Sequence, residues 1–426
     1  MTLRQKVEEG KLAAALDQLY GPEQAASQQE RYQSLLEDFS RLFPGQEPWG
    51  FYSAPGRTEI GGNHTDHQLG KVLAAAVNLD MVCAASPLAE PVIHLYSQER
   101  PEILVELSAL SPRPEEYGTS QGLIRGVAAS LAERGYQIGG FRACLHSQVL
   151  PGSGLSSSAA FSVVIGTVLS HLYNGGSIDP ITVALAGQEA ENRFFGKPSG
   201  LMDQLACSVG GFALLDFAKP QEPNVKSIPF DLGKTGYALC IVNSGGSHAD
   251  RTPDYAAIPG EMRQAAGCLG KEVLGQTDQS QLLAALPEIR RTAGDRAALR
   301  AIHFFEENAR VPLMAQALQA EDFPRYLELV KESGRSSWMY LQNVHAGDPF
   351  YQELALALAL TDVFLKGEGA FRVQGGGFAG TIQVYVPLPQ LPAYEKYMEA
   401  VFGKGCCQKT AVRPLGGTAV LTGENI

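Results

Sequence analysis

The sequence predicts a protein of mixed α and β structure, long enough for two domains or more. Three observations carry that expectation. The chain has 426 residues, 45% hydrophobic and 19% charged, the make-up of a folded protein with a sizeable core. Runs with helical apolar spacing are interleaved with short strand-like runs. Three glycine-rich clusters, far apart in the chain, each lie beside a strand-like run, and such clustering of the 46 glycines suits functional loops.

Residues 1 to about 43 read as helix: Val7, Leu12, Leu16, Leu19 and Tyr20, then Tyr32, Leu35, Leu36, Phe39 and Leu42, fall at roughly helical spacing. Residues 45–48 break the pattern, and Phe51, Tyr52 and Ser53 approach the first cluster. That cluster, A-P-G-R-T-E-I-G-G-N-H-T-D-H-Q-L-G at 54–70, crowds Arg57, Glu59, Asn63, His64, Asp66 and His67 together. It is either a solvated loop or a binding loop, and polar groups on a loop after a strand suit binding. Residues 72–76, 81–85 and 92–96 read as strands, 123–134 as an amphipathic helix and 141–149 as a strand.

The second cluster, V-L-P-G-S-G-L-S-S-S-A-A at 149–160, contains Gly152, Gly154, Leu155, Ser156, Ser157, Ser158 and Ala159. Glycine lets a backbone approach an anion closely. A helix opening at the serines turns unpaired N–H groups and a positive dipole end toward a phosphate. Serine hydroxyls add hydrogen bonds or a magnesium ligand. The same residues also suit a tight turn capping a buried helix.

A helix at 181–195 ends in Gln188, Glu189, Glu191, Asn192 and Arg193, and the turn G-K-P-S-G leads to L-M-D-Q, where Asp203 sits among apolar neighbours. Such an acid is a cap, a buried partner for a base, or a catalytic carboxylate. Residues 210–217 and 238–243 read as strands, with 218–232 a loop or domain junction between them. A polar loop at 244–251 precedes Tyr255. Helices dominate 258–365, where His303 reads as an ordinary surface or packed histidine. The third cluster, V-Q-G-G-G-F-A-G-T at 373–381, holds Gly375, Gly376 and Gly377 before a strand at 382–386; a helix at 391–402 and a strand at 418–422 follow.

The net charge of −11 argues against nucleic acid or an anionic membrane as partner, though not against a nucleotide held by a local loop. No stretch approaches the roughly 20 apolar residues of a spanning helix, and the opening M-T-L-R-Q-K-V-E-E-G lacks a signal-peptide core. The seven cysteines include no C-x-x-C pair, which speaks against a disulfide framework and a zinc site. A cytoplasmic protein with free thiols is expected.

Taken together, A-P-G-R…G-x-H-T-D, L-P-G-S-G-L-S-S-S-A-A, G-G-G-F-A-G and the G-x-P-x-G-x-M-D-Q match at 196–204 resemble the GHMP small-molecule kinases, on their galactokinase-like branch, from about residue 50 to the end. The resemblance implies an α+β fold of two lobes, a ribosomal-S5-domain-2-like N-terminal lobe (1–215, with a helical extension at 1–45) and a ferredoxin-like C-terminal lobe (216–426). The active site would lie in the cleft between them. It implies a sugar 1-kinase using ATP and Mg2+, with a small sugar as the other partner, no nucleic acid, no membrane, and a monomer or weak dimer. By the same resemblance Asp203 is the base or orienter for the sugar C1 hydroxyl and Arg57 the arginine near it and the transferred phosphoryl group. Such a charge holds an Asp ionised, and phosphoryl transfer depends on positioning and charge neutralisation. Asn63, His64, Asp66, Tyr255, Gly376 and Gly377 would face the sugar. Tyr255 follows His248 by seven residues, where the family has a histidine at that offset. Gly152 to Ala159 would hold the nucleotide, and Glu191 with Ser157 the magnesium.

Three departures stand out. The family carries an acid at the position of Asn63, commonly Asn at that of Glu59, and Tyr at that of His67. An uncharged amide at Asn63 leaves galacturonate or arabinose as alternatives to galactose, if that side chain reads the C6 end. Ser120 and Leu123 stand where base-stacking aromatics are usual, with Tyr117 a substitute. A non-catalytic sugar and ATP sensor is the rival reading; the intact Ser156 to Ala160 run, with Arg57, Glu191 and Asp203, favours the enzyme.

Overall fold

The computed structural model describes residues 1–98, 101–149, 154–246, 252–345 and 347–423. Its strands form two sheets. The first holds β1 (Gly50–Gly61), β2 (Lys71–Leu88), β3 (Val92–Ser97), β4 (Ile103–Glu106), β5 (Gly140–Ser147), β6 (Phe212–Asp216), β7 (Asn224–Ile228) and, from the far end of the chain, β12 (Thr418–Thr422). The second holds β8 (Tyr237–Gly245), β9 (Ala370–Val373), β10 (Gly380–Pro387) and β11 (Cys407–Thr410). Strand order is β12-β1-β2-β5-β3-β4, with β6 paired to β2 and β7 to β6, and β11-β8-β10-β9 in the second sheet. Among the described residues only the β3–β5 pair is parallel.

The two strand-like runs at 72–76 and 81–85 are one strand, β2. Its first part pairs β6 and its second pairs β5. The polar residues between, Asn78 and Asp80, look like a turn in sequence, yet both are buried. Each is satisfied from far along the chain. Asn78 exchanges bonds with the backbone of Ala411, at 2.8 and 2.9 Å. Asp80 accepts from Arg31 (2.6 Å), Tyr20 (2.6 Å), Arg413 (2.6 Å) and Ser53. A strand can carry buried polar groups once each has a partner.

β1 likewise continues through residues read as a loop, and its register against β2 shifts between Pro55 and Arg57. β7 lies inside 218–232, read as a loop; only Ile228 of it is buried, so an edge strand of polar residues leaves no apolar pattern to find. The first sheet thus runs on to Ile228 before the second begins at Tyr237, and residue 215 falls inside β6.

One face of the first sheet is covered by the helices Ser120–Glu133, Ser157–Tyr173 and Pro180–Glu189. Ser157–Tyr173 is buried almost all round, as its unbroken apolar run requires. The helices Leu3–Glu8, Ala13–Tyr20 and Ala25–Leu42 pack on the opposite face against Phe51, Val82, Ala84 and Cys144. The long helix Asp295–Gln319 joins the lobes: Val311 and Met314 share a core with Ile60, Leu73 and Phe212 of the first sheet and Leu239 and Tyr385 of the second. Two helices widen into π-helical turns, Ala190–Phe195 and Ser337–Leu341, and both border the cleft. All seven cysteines are free. Among the described residues no helix is long and apolar enough to cross a membrane.

Candidate active site

The first and second glycine clusters meet where β1 passes the start of the helix Ser157–Tyr173. A β-carbon on Gly56 would stand 2.8 Å from the Leu155 carbonyl, so only glycine allows this approach. The Arg57 N–H donates to that carbonyl at 3.1 Å. The Arg57 guanidinium donates through Nη1 to the Gly154 carbonyl (2.6 Å) and through Nε to Asp203 Oδ1 (2.7 Å). Asp203 sits in the first turn of the helix Met202–Val209. Its second oxygen accepts from the Ser156 hydroxyl.

These bonds decide the charge of Asp203. Burial pushes its pKa up, but the Arg57 charge and the bonds from Arg57 and Ser156 outweigh burial and leave it lowered. The carboxylate is ionised at neutral pH, and its side chain keeps 30% exposure on the cleft side. Ser156 is left-handed (φ 60°, ψ 61°) and occupies the N-cap position, yet makes no cap bond to its own helix. Its hydroxyl goes to Asp203, so the first N–H groups of the helix stay open to an anion. Ser157 and Ser158 line a cavity of about 950 Å3 with Ser120, Leu123, Tyr96 and Phe195. Leu155 and Ala159 are core residues contributing backbone here. Gly152 and His248 lie outside the described residues. Tyr117, suggested as a base-stacking substitute, lays one part of its ring against Gly196 and keeps 49% exposure.

Glu191 is held by the π-helical turn Ala190–Phe195 and is 2% exposed. Its nearest cation is Lys197, whose Nζ stands 3.8 Å from Oε2. A buried carboxylate so loosely paired fits a divalent cation, which takes one or two carboxylates, a hydroxyl and phosphate oxygens. Among the described residues no group of three His, Cys, Asp or Glu side chains forms an all-protein metal site.

The third cluster closes the other side of the cleft. The Tyr255 hydroxyl donates to the Gly377 carbonyl at 2.7 Å, and its ring lies over Gly376 so closely that a β-carbon there would collide. His64, left-handed at φ 57°, places Nε2 3.1 Å from the Gly376 carbonyl and Nδ1 3.3 Å from His67 Nε2. Burial drives the His64 pKa down to about 4, so the ring is neutral. Asp66 stands against Gly200, where a β-carbon would overlap its Oδ2. Burial raises its pKa to about 6, against the pull of the His67 N–H, and the Asp203 charge adds to the rise.

Asn63 overturns the expectation placed on it. Its side chain is fully buried and fully used. Nδ2 donates to Glu59 Oε1 (2.9 Å) and the Gly375 carbonyl (2.7 Å); Oδ1 accepts from Asn343 (2.7 Å) and Ser337 (3.3 Å). A primary amide has no bond left for a ligand. The argument for galacturonate or arabinose from Asn63 therefore falls. Glu59, the other departure, faces Arg372 at 2.8 Å, a pair with no exposure on the arginine side. Acid and amide have exchanged places relative to the family pattern, and the bond between them joins the two positions.

Sequence reasoning missed the framework behind the cleft. Ser337, Asn343 and Arg372 carry no local motif, and Gln374 was passed over within the third cluster. Gln374 receives the Thr58 hydroxyl at 2.9 Å and donates to the Gly154 carbonyl at 3.3 Å, tying the third cluster to the second. His303 is fully buried and bridges the Asn63 carbonyl and the Ser336 hydroxyl, each at 2.8 Å.

Comparison with known proteins gives the chain its relatives. Residues 37–87 match the galactokinase galactose-binding signature and residues 122–211 the GHMP kinases N terminal domain. Galactokinase from Streptomyces coelicolor is 30% identical over 370 residues, 86% of this chain and 92% of that protein. Among solved structures, Lactococcus lactis galactokinase complexed with galactose matches with a TM-score of 0.78 at 22% identity, over 91% of this chain and 99% of that one. Methanococcus jannaschii mevalonate kinase matches with a TM-score of 0.60 at 13% identity, over 87% and 99% of the two chains.

Proposed function

Since the chain belongs to the galactokinase family of GHMP kinases, we propose that it transfers the γ-phosphoryl group of ATP to the anomeric hydroxyl of galactose. It is a sugar kinase, a phosphotransferase acting on an alcohol group. The observation that carries the reading is the Arg57–Asp203–Ser156 cluster at the open end of the helix Ser157–Tyr173.

In this reading Asp203 accepts the hydrogen bond of the C1 hydroxyl and takes its proton as the oxygen attacks phosphorus. Arg57 keeps the carboxylate ionised and neutralises charge on the phosphoryl group in flight. The helix N–H groups with Ser157 and Ser158 seat the nucleotide phosphates. Glu191 and the Ser157 hydroxyl would hold Mg2+, whose charge would offset that of the phosphates. Asp66, His64 and Tyr255 with Gly376 and Gly377 border the sugar. Neutral His64, its two ring nitrogens bonded to the Gly376 carbonyl and to His67, shapes the sugar's border without bringing a second positive charge.

Release of ADP measured on galactose, galacturonate and arabinose tests the substrate. Galactose is expected to exceed the other two in kcat/KM by more than about tenfold, or ~1.4 kcal/mol. Equal or greater turnover of galacturonate overturns the assignment of galactose. Sugar and ATP binding without ADP release overturns the kinase reading.

A further inference from the structure

We propose a second ligand site, outside the cleft, for a small organic anion with a flat unsaturated ring. It is a pocket of about 590 Å3 between the helices Phe323–Ser336 and Glu353–Leu365, beside β9, within the size range of small-molecule sites.

Its walls supply both parts of such a ligand's recognition. Trp338 and Met339, on the π-helical turn Ser337–Leu341, line it while keeping 43% and 57% exposure, and Phe371 lines it from β9. An indole, a thioether and a phenyl ring favour a flat apolar body. Arg335 lines the pocket one turn away; among the described residues it has no hydrogen-bond or ion-pair partner, unlike most arginines of this chain. A free guanidinium beside an aromatic surface suits a carboxylate, sulfonate or phosphate. Asp362, across the pocket, offers an acceptor for a ring N–H or hydroxyl.

The inner wall is Arg372, fully buried, whose Nε has no hydrogen-bond partner among the described residues. Its Nη2 holds Glu59 at 2.8 Å, and Glu59 holds Asn63. The π-helical turn repeats the connection: Trp338 and Met339 face the pocket, while the adjoining Ser337 and Asn343 bond Asn63 Oδ1. Asn63 in turn holds the Gly375 carbonyl. A ligand that shifts this turn or Arg372 therefore acts on the loops that border the sugar. The regulatory consequence rests on the sugar-kinase reading; the binding does not.

The chain has two tryptophans, Trp49 and Trp338. In Trp49→Phe the remaining fluorescence reports on the pocket. 8-Anilinonaphthalene-1-sulfonate, a sulfonated aromatic, is titrated into this variant with saturating ATP and galactose present. Saturable energy transfer from Trp338 is expected, weakened at least about fivefold by Arg335→Glu. A shift in the galactose KM, with the ATP KM unchanged, is expected on occupancy. Transfer that does not saturate, is displaced by ATP, or is indifferent to Arg335→Glu overturns the site. Sedimentation showing that Trp338 is covered by a second copy of the chain overturns it too. Saturable binding without a KM shift leaves the site and removes its coupling to the sugar. If ADP release fails altogether, the fluorescence arm still decides the site.

Discussion

The two π-helical turns invite comparison, because each ends on a left-handed residue beside the cleft and the two do different work. Ala190–Phe195 ends at Gly196 (φ 75°) and buries a charge, Glu191, on the side proposed for the nucleotide. Ser337–Leu341 ends at Gln342 (φ 58°), and Ser337 helps hold a neutral amide, Asn63, on the sugar side. The first keeps its carboxylate loosely paired, free for a cation. The second belongs to a network in which the Asn63 amide is fully bonded. On the proposed reading, the nucleotide wall is built to receive charge and the sugar wall to hold a shape.

The largest test of that contrast is at Asp203, on the charged wall. Asp203→Asn is expected to lower kcat by about 10²- to 10⁴-fold while the chain still folds, at a smaller stability cost than the next variant because the Asp203 side chain keeps 30% exposure; steady-state kinetics beside denaturant unfolding measures both. Next comes the shaped wall, where the same kind of change harms the fold. Arg372→Leu leaves the Glu59 carboxylate buried without its cation and is expected to cost about 3–5 kcal/mol of stability. The double variant Glu59→Leu/Arg372→Leu should recover most of that loss in urea unfolding. A single variant as stable as the parent would erase the distinction between the walls.

The same contrast governs what was legible in the sequence. The proposed nucleotide wall is made of local motifs, so the resemblance of those motifs to the family's could name Ser156, Arg57 and Asp203, and the structure brings the three together. The sugar wall is assembled from side chains hundreds of residues apart, such as Glu59 with Arg372, and no local pattern announces such a pair. Asn63 was visible but misread: its position marked it, while the four bonds that consume its amide come from Glu59, Gly375, Asn343 and Ser337. The strand runs were found, yet β2 was cut in two because Asn78 and Asp80 hide partners at Ala411 and Arg413.

A third test lies between the walls, at Asp66. Its folded pKa, raised to about 6 from 3.8, means the fold holds that proton more tightly than the unfolded chain does. The group therefore costs stability as pH rises from 3.8 to about 6, while its power to accept a sugar hydroxyl grows over the same interval. The galactose KM is expected to rise by up to about tenfold per unit as pH falls below that value, ~1.4 kcal/mol. A KM flat between pH 5 and 7, titrated on the parent and on Asp66→Asn, would place the sugar elsewhere.

The smallest effects compare the ends of the turns directly. Gly196→Ala puts a methyl 2.9 Å from the Tyr117 ring in a left-handed backbone and is expected to cost about 1–2 kcal/mol. Gln342→Gly relieves the same strain and should gain about 0.5–1 kcal/mol by thermal unfolding, after the entropy that glycine brings.

β12 and the segment before it carry one more consequence. Arg413 supplies a cation to buried Asp80, and β12 covers the open edge of β1 from Gly50 to Ser53. On a ribosome, the first sheet is therefore left with a bare edge and an under-neutralised interior charge until residues 413–422 have emerged. The sheet that begins at Gly50 is completed only after every strand of the second sheet has been made.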